Sequence, residues 1–94
     1  MKDLTALREE VDAVDRELIA LFARRMEICG KIARYKQANG MEIFAPEREA
    51  QVLEVLKENA APKMLPYTRD LFRCLMDLSK RYQQNLLAVE EFLT

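Results

Sequence analysis

Hydrophobic residues recur at alternating intervals of three and four along the first third of the chain. This pattern, which we call the seam, is typical of one long helix that packs against other helices. Its ten positions are Leu4, Leu7, Val11, Val14, Leu18, Leu21, Arg25, Ile28, Ile32 and Tyr35, and all except Arg25 are apolar or aromatic. We predict a helix from about Leu4 to Gln37, with Asp3 as its N-cap and Asn39-Gly40 at its end.

Two further helices follow from the rest of the pattern. Pro46 suits a first helical position and predicts a second helix to about Asn59, and two prolines delimit the next connection. A third helix is expected from about Tyr67 to Phe92. Its predicted apolar stripe, which we expect to lie in the core, is Leu71, Leu75, Leu78, Tyr82, Leu86 and Val89. The expected fold is all-α, with one domain over residues 1–94 and three helices in each protomer.

The predicted length of the first helix points to a partner chain. At about 1.5 Å per residue it would be roughly 50 Å long, which is too long for a compact monomer of this size. A single domain this small buries only about 60–65% of its unfolded surface, so association would add stability. We therefore expect an oligomer in which the long helix lies against a second copy.

Arg25 is the one charged residue of the seam. An unpaired charge on a buried face costs several kcal/mol or more, so an anion should meet this guanidinium. The seam itself contains no acidic residue. The partner of Arg25 is therefore either a carboxylate from another helix or an anionic ligand.

Composition narrows the possible chemistry. The 94 residues carry a formal net charge of -1, include no histidine, and contain only two cysteines, Cys29 and Cys74, far apart in sequence. These facts argue against nucleic-acid binding, Ser-His or Cys-His catalysis and a zinc site. Both cysteines are expected to be buried free thiols in a reducing compartment. With no signal region or membrane-spanning run, we predict a cytoplasmic protein without metal or cofactor.

Three cations of the first helix suggest a site for a small dianion. Arg25 and Lys36 are separated by about 16 Å along the helix axis, so their long side chains can reach toward one ligand. Arg8 lies about 25 Å from Arg25 and cannot join the same site within one chain. In an antiparallel dimer it would reach the partner's site instead. Each of these residues alone is more simply a surface charge or half of a structural ion pair.

The combined pattern resembles the all-helical (type II) chorismate mutases over nearly the whole chain. The matching stretches are LREEVDAVDRELIALFARR with Lys36 beyond it, then PEREAQVLEVL, then LFRCLMDLSKRYQQ. This resemblance implies an intertwined homodimer whose long first helices pair across the interface. It also implies conversion of chorismate to prephenate without a cofactor, in the biosynthesis of phenylalanine and tyrosine.

The resemblance also implies a role for individual residues. Arg25 would bind a substrate carboxylate, and Arg8 would reach into the neighbouring subunit's site. Lys36 and Gln83 would hydrogen-bond the ether oxygen of the breaking bond. The remaining implied contacts are Glu49 with the ring hydroxyl and two residues at the carboxylate end, Arg48 and Ser79.

Ala45 departs from the family pattern, which commonly has aspartate just before the Pro-Glu-Arg-Glu segment. Only its backbone is available to the substrate, and the second helix loses its preferred N-cap. Two alternatives to the mutase stay open. One is an isochorismate pyruvate lyase of the same fold, and the other is a non-catalytic helical dimerisation or regulatory module.

Overall fold

The computed structural model describes residues 3–93, and they form helices joined by short connections. The long helices are α1 (Leu4–Ala38), α2 (Pro46–Asn59) and α3 (Leu65–Leu93), with a 3-10 turn at Pro62–Met64 before α3. No strand occurs within residues 3–93. The prediction of an all-α protomer with three helices and a long first helix is confirmed.

The ends of α1 follow from local chemistry. The Asp3 carboxylate accepts a hydrogen bond from the Ala6 backbone N–H at 2.8 Å, as an N-cap side chain should. At the other end Asn39 is the C-cap, and Gly40 adopts a φ of 64°, a left-handed conformation that costs glycine little. Both predicted ends of the helix are confirmed.

The starts of α2 and α3 differ in how well the sequence predicted them. Helix α2 begins at Pro46, and Ala45 at its N-cap makes no side-chain capping bond, as expected. Helix α3 begins at Leu65, two residues before the predicted start at Tyr67. Pro66 caused this error, because we placed it in the connection. It lies in the first turn, where the missing N–H of proline has no helical partner in any case.

Helices α1 and α3 pack side by side, and α2 packs against α3. Helices α1 and α3 approach closely at Gly30, where an added Cβ would lie 3.2 Å from Leu86 Cδ2 and 3.5 Å from Tyr82 Cε2. Near the end of α3, the Arg34 guanidinium donates to a Glu90 carboxylate oxygen at 2.8 Å. That hydrogen bond raises the pKa of Arg34. A small residue and an ion pair thus fix the register of the two helices.

We expect Gly30→Leu to destabilise the protein by about 1–3 kcal/mol, because the larger side chain must force Leu86 and Tyr82 from a closely packed contact. Gly30→Ala should cost less, since the gain in helix propensity of about 1 kcal/mol offsets the crowding. Urea unfolding followed by circular dichroism measures both. Ala23→Leu, on an exposed part of α1, is the control. A Gly30→Leu protein as stable as this control would contradict the packing described.

The isolated protomer is flat and elongated. Its radius of gyration is 17.0 Å and its extents are 58 × 30 × 14 Å, whereas a compact chain of this length has a radius of gyration of about 12 Å. Among residues 3–93 the buried hydrophobic side chains are few: Cys29, Ala33, Leu56 and Met76. The apolar members of the seam are all exposed, for example Leu18 at 53% and Leu21 at 55%. A large apolar face is therefore uncovered in one chain.

Two predictions about burial were wrong. Cys29 is buried as expected, but Cys74 is an exposed free thiol. The buried face of α3 carries Met76, Ser79 and Gln83 rather than the predicted stripe, of which Leu71, Tyr82 and Val89 are exposed. The reason is that α3 turns its polar row toward α1 and α2, so part of its apolar row faces outward. None of the helices described is long and apolar enough to span a membrane.

Candidate active site

An open cavity of about 240 Å³ lies between the three helices. All of the predicted site residues except Arg8 line it: Arg25, Lys36, Ala45, Arg48, Glu49, Ser79 and Gln83. The apolar part of the wall is made by Ile28, Cys29, Ile32, Ile43, Val52 and Met76. Ile28 and Ile32 belong to the exposed seam, so the cavity adjoins the uncovered apolar face.

Arg25 projects into this cavity from the middle of α1 and is half-buried. No carboxylate within residues 3–93 forms an ion pair with it, and its Nη1 makes a long contact with Cys29 Sγ at 4.0 Å. Of the two partners that the sequence left open, a carboxylate of the same chain is therefore not found in the described residues. A half-buried guanidinium without an anion favours a ligand or a second chain as its partner.

Lys36 lies in the last turn of α1, where the negative end of the helix dipole favours a cation. Its ammonium donates a hydrogen bond to the Ile43 carbonyl at 2.7 Å. This bond ties the loop between α1 and α2 back onto α1 and holds the side chain in place. An ammonium has three N–H donors, so others are available to a ligand in the cavity.

Gln83 and Ser79 are one turn apart on α3, and each is only 6% exposed. The Gln83 amide donates from Nε2 to Ser79 Oγ at 2.9 Å, and Gln83 Oε1 is buried without a hydrogen-bond partner. An unsatisfied buried polar atom costs about 1–3 kcal/mol. Because a hydroxyl can donate as well as accept, Ser79 also allows the reversed amide, with the NH₂ group free for a ligand acceptor.

Glu49 is in the first turn of α2, where a carboxylate is favoured by the helix dipole. It forms an ion pair with Lys80 Nζ at 3.0 Å, and the two side chains are each 26% exposed. The hydrogen bond to Glu49 is the main cause of a raised pKa at Lys80. Sequence reasoning missed Lys80, because its partner Glu49 lies on a different helix.

The other predicted residues occupy less enclosed places. Arg48 is exposed at the cavity wall, with Nη1 at 3.4 Å from Gln51 Oε1. Ala45 reaches the cavity with a methyl group and its backbone only. Arg8 is exposed near the start of α1 and does not line the cavity. Within residues 3–93 no cluster of three or more acidic or cysteine side chains has the geometry to hold a metal ion.

Comparison with known proteins matches this chain to one family. The family profile described as chorismate mutase type II covers residues 7–84. The T-protein of Haemophilus influenzae is 43% identical over 60 residues, which are 64% of this chain and 16% of that protein. An intracellular chorismate mutase of Mycobacterium bovis is 36% identical over 56 residues, or 60% of this chain and 53% of the relative.

A third relative carries a different substrate in its name. It is the 4-amino-4-deoxychorismate mutase of Streptomyces venezuelae, 36% identical over 59 residues, which are 63% of this chain and 53% of that protein. The chain thus spans about half the length of these two mutases and a smaller part of the T-protein. The family profile contains α2, most of α1 and α3, and every residue that lines the cavity, and we conclude that this chain belongs to the chorismate mutase type II family.

Proposed function

We propose that this protein is a chorismate mutase that converts chorismate to prephenate in aromatic amino-acid biosynthesis. The observation that carries the proposal is the convergence of Arg25, Lys36 and the incompletely bonded Gln83 amide on one cavity. Chorismate is a dianion with two carboxylates, an ether oxygen and a ring hydroxyl. The cavity residues offer a suitable partner for each of these groups except one carboxylate. We assign that carboxylate to Arg8 of a second chain.

The reaction is a unimolecular Claisen rearrangement, in which a C–O bond breaks as a C–C bond forms. It needs no nucleophile and no proton transfer, so the protein contributes binding, orientation and electrostatics. Arg25 binds one carboxylate from within the protomer, and Arg48 and Ser79 lie at that end of the pocket. Holding both carboxylates favours the folded, reactive conformer of the substrate over extended ones.

Lys36 and Gln83 act on the breaking bond. Negative charge grows on the ether oxygen in the transition state. The Lys36 ammonium and the Gln83 amide NH₂ group are the donors that stabilise this charge. Lys36 is already held by Ile43, and Gln83 by Ser79. Donors that are fixed before the reaction need little reorganisation, which is the condition for strong electrostatic catalysis.

The substrate hydroxyl is assigned to Glu49. Its carboxylate is an acceptor with two oxygens, so it can bind a hydroxyl while Lys80 remains paired with Oε2. Ala45 adds only a backbone group at this end. We expect this combination to hold the hydroxyl through one carboxylate, where the common family pattern would supply two.

We further propose an intertwined homodimer in which the seams of the two α1 helices pair. The exposed seam, the small buried core and the elongated shape all support association. The exposed cavity residues Ile28 and Ile32 support it as well, because a second chain on the seam would cover this part of the cavity wall. Arg8 of that second chain would then bind the other carboxylate of the substrate.

We expect Leu18→Glu to convert the dimer to monomers, because a carboxylate on an apolar interface is costly to bury. The rate of prephenate formation should fall at least about tenfold, since an oriented binding group is lost with the partner chain. Light scattering after gel filtration, combined with an activity assay, measures both effects. Arg16→Glu, on the opposite side of α1, is the matched control. A fully active wild-type monomer would contradict the composite site.

Product analysis distinguishes the proposed function from the alternatives. Purified protein is incubated with chorismate and, separately, with isochorismate, and the products are separated by chromatography. The proposal predicts prephenate from chorismate and no rapid release of pyruvate from isochorismate. Pyruvate release as the main activity would establish the lyase, and no conversion of either substrate by folded protein would favour a non-catalytic module. The cytoplasmic location and the single domain over residues 1–94 stay predictions from the sequence.

A further inference from the structure

The Lys80 ammonium is held at one end of the cavity by groups from three parts of the chain. Besides the ion pair with Glu49 of α2, it lies 3.4 Å from the Asp77 carboxylate on α3. It also lies 4.7 Å from the centroid of the Phe44 ring in the loop before α2, within the range of a cation–π contact. A lysine with these three contacts has a fixed charge next to the carboxylate of the site.

We propose that Lys80 is a specificity-determining residue, which makes the Glu49 end of the cavity accept a substrate hydroxyl and reject an ammonium in the same position. This inference rests on the proposed function, in which Glu49 binds the ring hydroxyl of chorismate. It concerns the choice between chorismate and its 4-amino-4-deoxy analogue. At this position chorismate carries a neutral hydroxyl. The analogue carries an aliphatic amine, which is protonated at neutral pH.

The charges around Glu49 disfavour a cationic ligand. Among residues 3–93 the cavity wall contains four cations, Arg25, Lys36, Arg48 and Lys80, and one carboxylate, Glu49. That carboxylate is already paired with Lys80. A hydroxyl adds no charge when it donates to Glu49. An ammonium would have to approach the Lys80 ammonium closely, where like charges repel, or displace it from Glu49.

Neighbouring residues do not cancel the repulsion between the Lys80 ammonium and a ligand ammonium. Ala45 has no charge at the position where the family commonly has an aspartate. Asp77 contacts Lys80 from the same helix, but its side chain is 72% exposed, so solvent screens it, and it does not line the cavity. Glu49 is thus the single carboxylate that faces a ligand at this end of the described cavity, and Lys80 decides whether it is available to a cation.

The test compares kcat/KM for chorismate and for 4-amino-4-deoxychorismate in the full chain. Lys80→Gln removes the charge but keeps an N–H donor for Glu49, and Lys80→Met removes both. Lys80→Arg keeps the charge. Lys57→Met removes a comparable lysine, paired with Glu54 on α2 and outside the cavity, and serves as the control. Thermal unfolding of each variant establishes that it is folded.

We expect the wild type to prefer chorismate. In Lys80→Gln and Lys80→Met the ratio of the two kcat/KM values should shift by at least about tenfold toward the amino substrate. Lys80→Arg and Lys57→Met should keep the wild-type ratio. A shift in the ratio separates this role from a structural one, because general damage to the site lowers both values together.

Three outcomes would overturn the assignment. One is a wild type that prefers the amino substrate, and another is a ratio in folded Lys80→Gln within about twofold of the wild-type ratio. The third is a folded Lys80→Gln protein that has lost both activities, because Lys80 would then serve the reaction itself. A wild type that converts neither substrate removes the proposed function and this inference with it. Normal chorismate turnover with an unchanged ratio of the two kcat/KM values is a different result, because it overturns the role of Lys80 alone.

Discussion

Lys36→Ala should lower kcat for prephenate formation by about 10²–10³-fold, with a smaller change in KM. The physical reason is that the ammonium acts mainly on charge that develops on the ether oxygen in the transition state. An interaction made only in the transition state affects kcat, whereas one that is equal in both states affects KM. Steady-state kinetics with chorismate measures the two parameters separately.

The hydrogen bond from Lys36 to Ile43 gives this variant a second effect, which must be separated from the first. Losing that bond loosens the loop between α1 and α2 and is expected to destabilise the protein by about 1 kcal/mol. Urea unfolding measures the loss of stability. Lys31→Ala, at an exposed position on the same helix, is the control for removing a lysine from α1. Near-normal kcat/KM in Lys36→Ala would be incompatible with the proposed mechanism.

Arg25→Leu should separate activity from stability more clearly than any other change. The guanidinium is half-buried and has no carboxylate partner within the described residues, so leucine should leave stability equal or raise it. Activity should nevertheless fall, on the order of 10²–10³-fold in kcat/KM, because a charged partner of the substrate carboxylate is lost. Thermal unfolding and chorismate kinetics on the same preparation test both statements.

Arg24→Leu is the matched control, since the neighbouring arginine is exposed and does not line the cavity. We expect it to keep wild-type kinetics. The structural alternative also allows higher stability in Arg25→Leu, but it predicts that chorismate does not protect the wild type against heat. Ligand protection follows from binding to the folded state alone, so its absence at high chorismate concentration would argue against a site at Arg25.

Local chemistry made most of the fold predictable. The ends of α1 could be assigned from Asp3 and Gly40 because a capping carboxylate and a left-handed glycine are short-range features. Pro46 marked the start of α2 for the same reason. Pro66 was ambiguous, because proline is equally suited to a connection and to a first helical turn. Its place depended on the 3-10 turn before it, which periodicity does not reveal.

The faces of the helices were harder to predict than the helices themselves. A seam of alternating spacing shows which residues share a face, but not whether that face is covered by the same chain or by another one. In α1 the buried residues are Cys29, Gly30 and Ala33, beside the seam, and Gly30 lies against Leu86 and Tyr82 of α3. In α3 the polar row with Ser79 and Gln83 faces inward, because the cavity is built there.

The candidate site was predicted through Arg25, whose charge conflicts with its apolar surroundings, and through the family resemblance. Neither source indicated Lys80, since a lysine on a helix surface is ordinarily a solvated charge. Its importance depends on three contacts, with Glu49, Asp77 and Phe44, that come from separate parts of the chain. Such a cluster becomes visible only when the tertiary structure is known.

The central claim is that this cavity rearranges chorismate, and the initial rate of chorismate consumption tests it most directly. The loss of its ultraviolet absorbance is followed over a range of substrate concentrations, and the product is identified by chromatography. We predict a saturable rate, with one prephenate formed for each chorismate consumed. A folded dimeric protein whose rate does not exceed the uncatalysed rearrangement at any chorismate concentration would contradict the account.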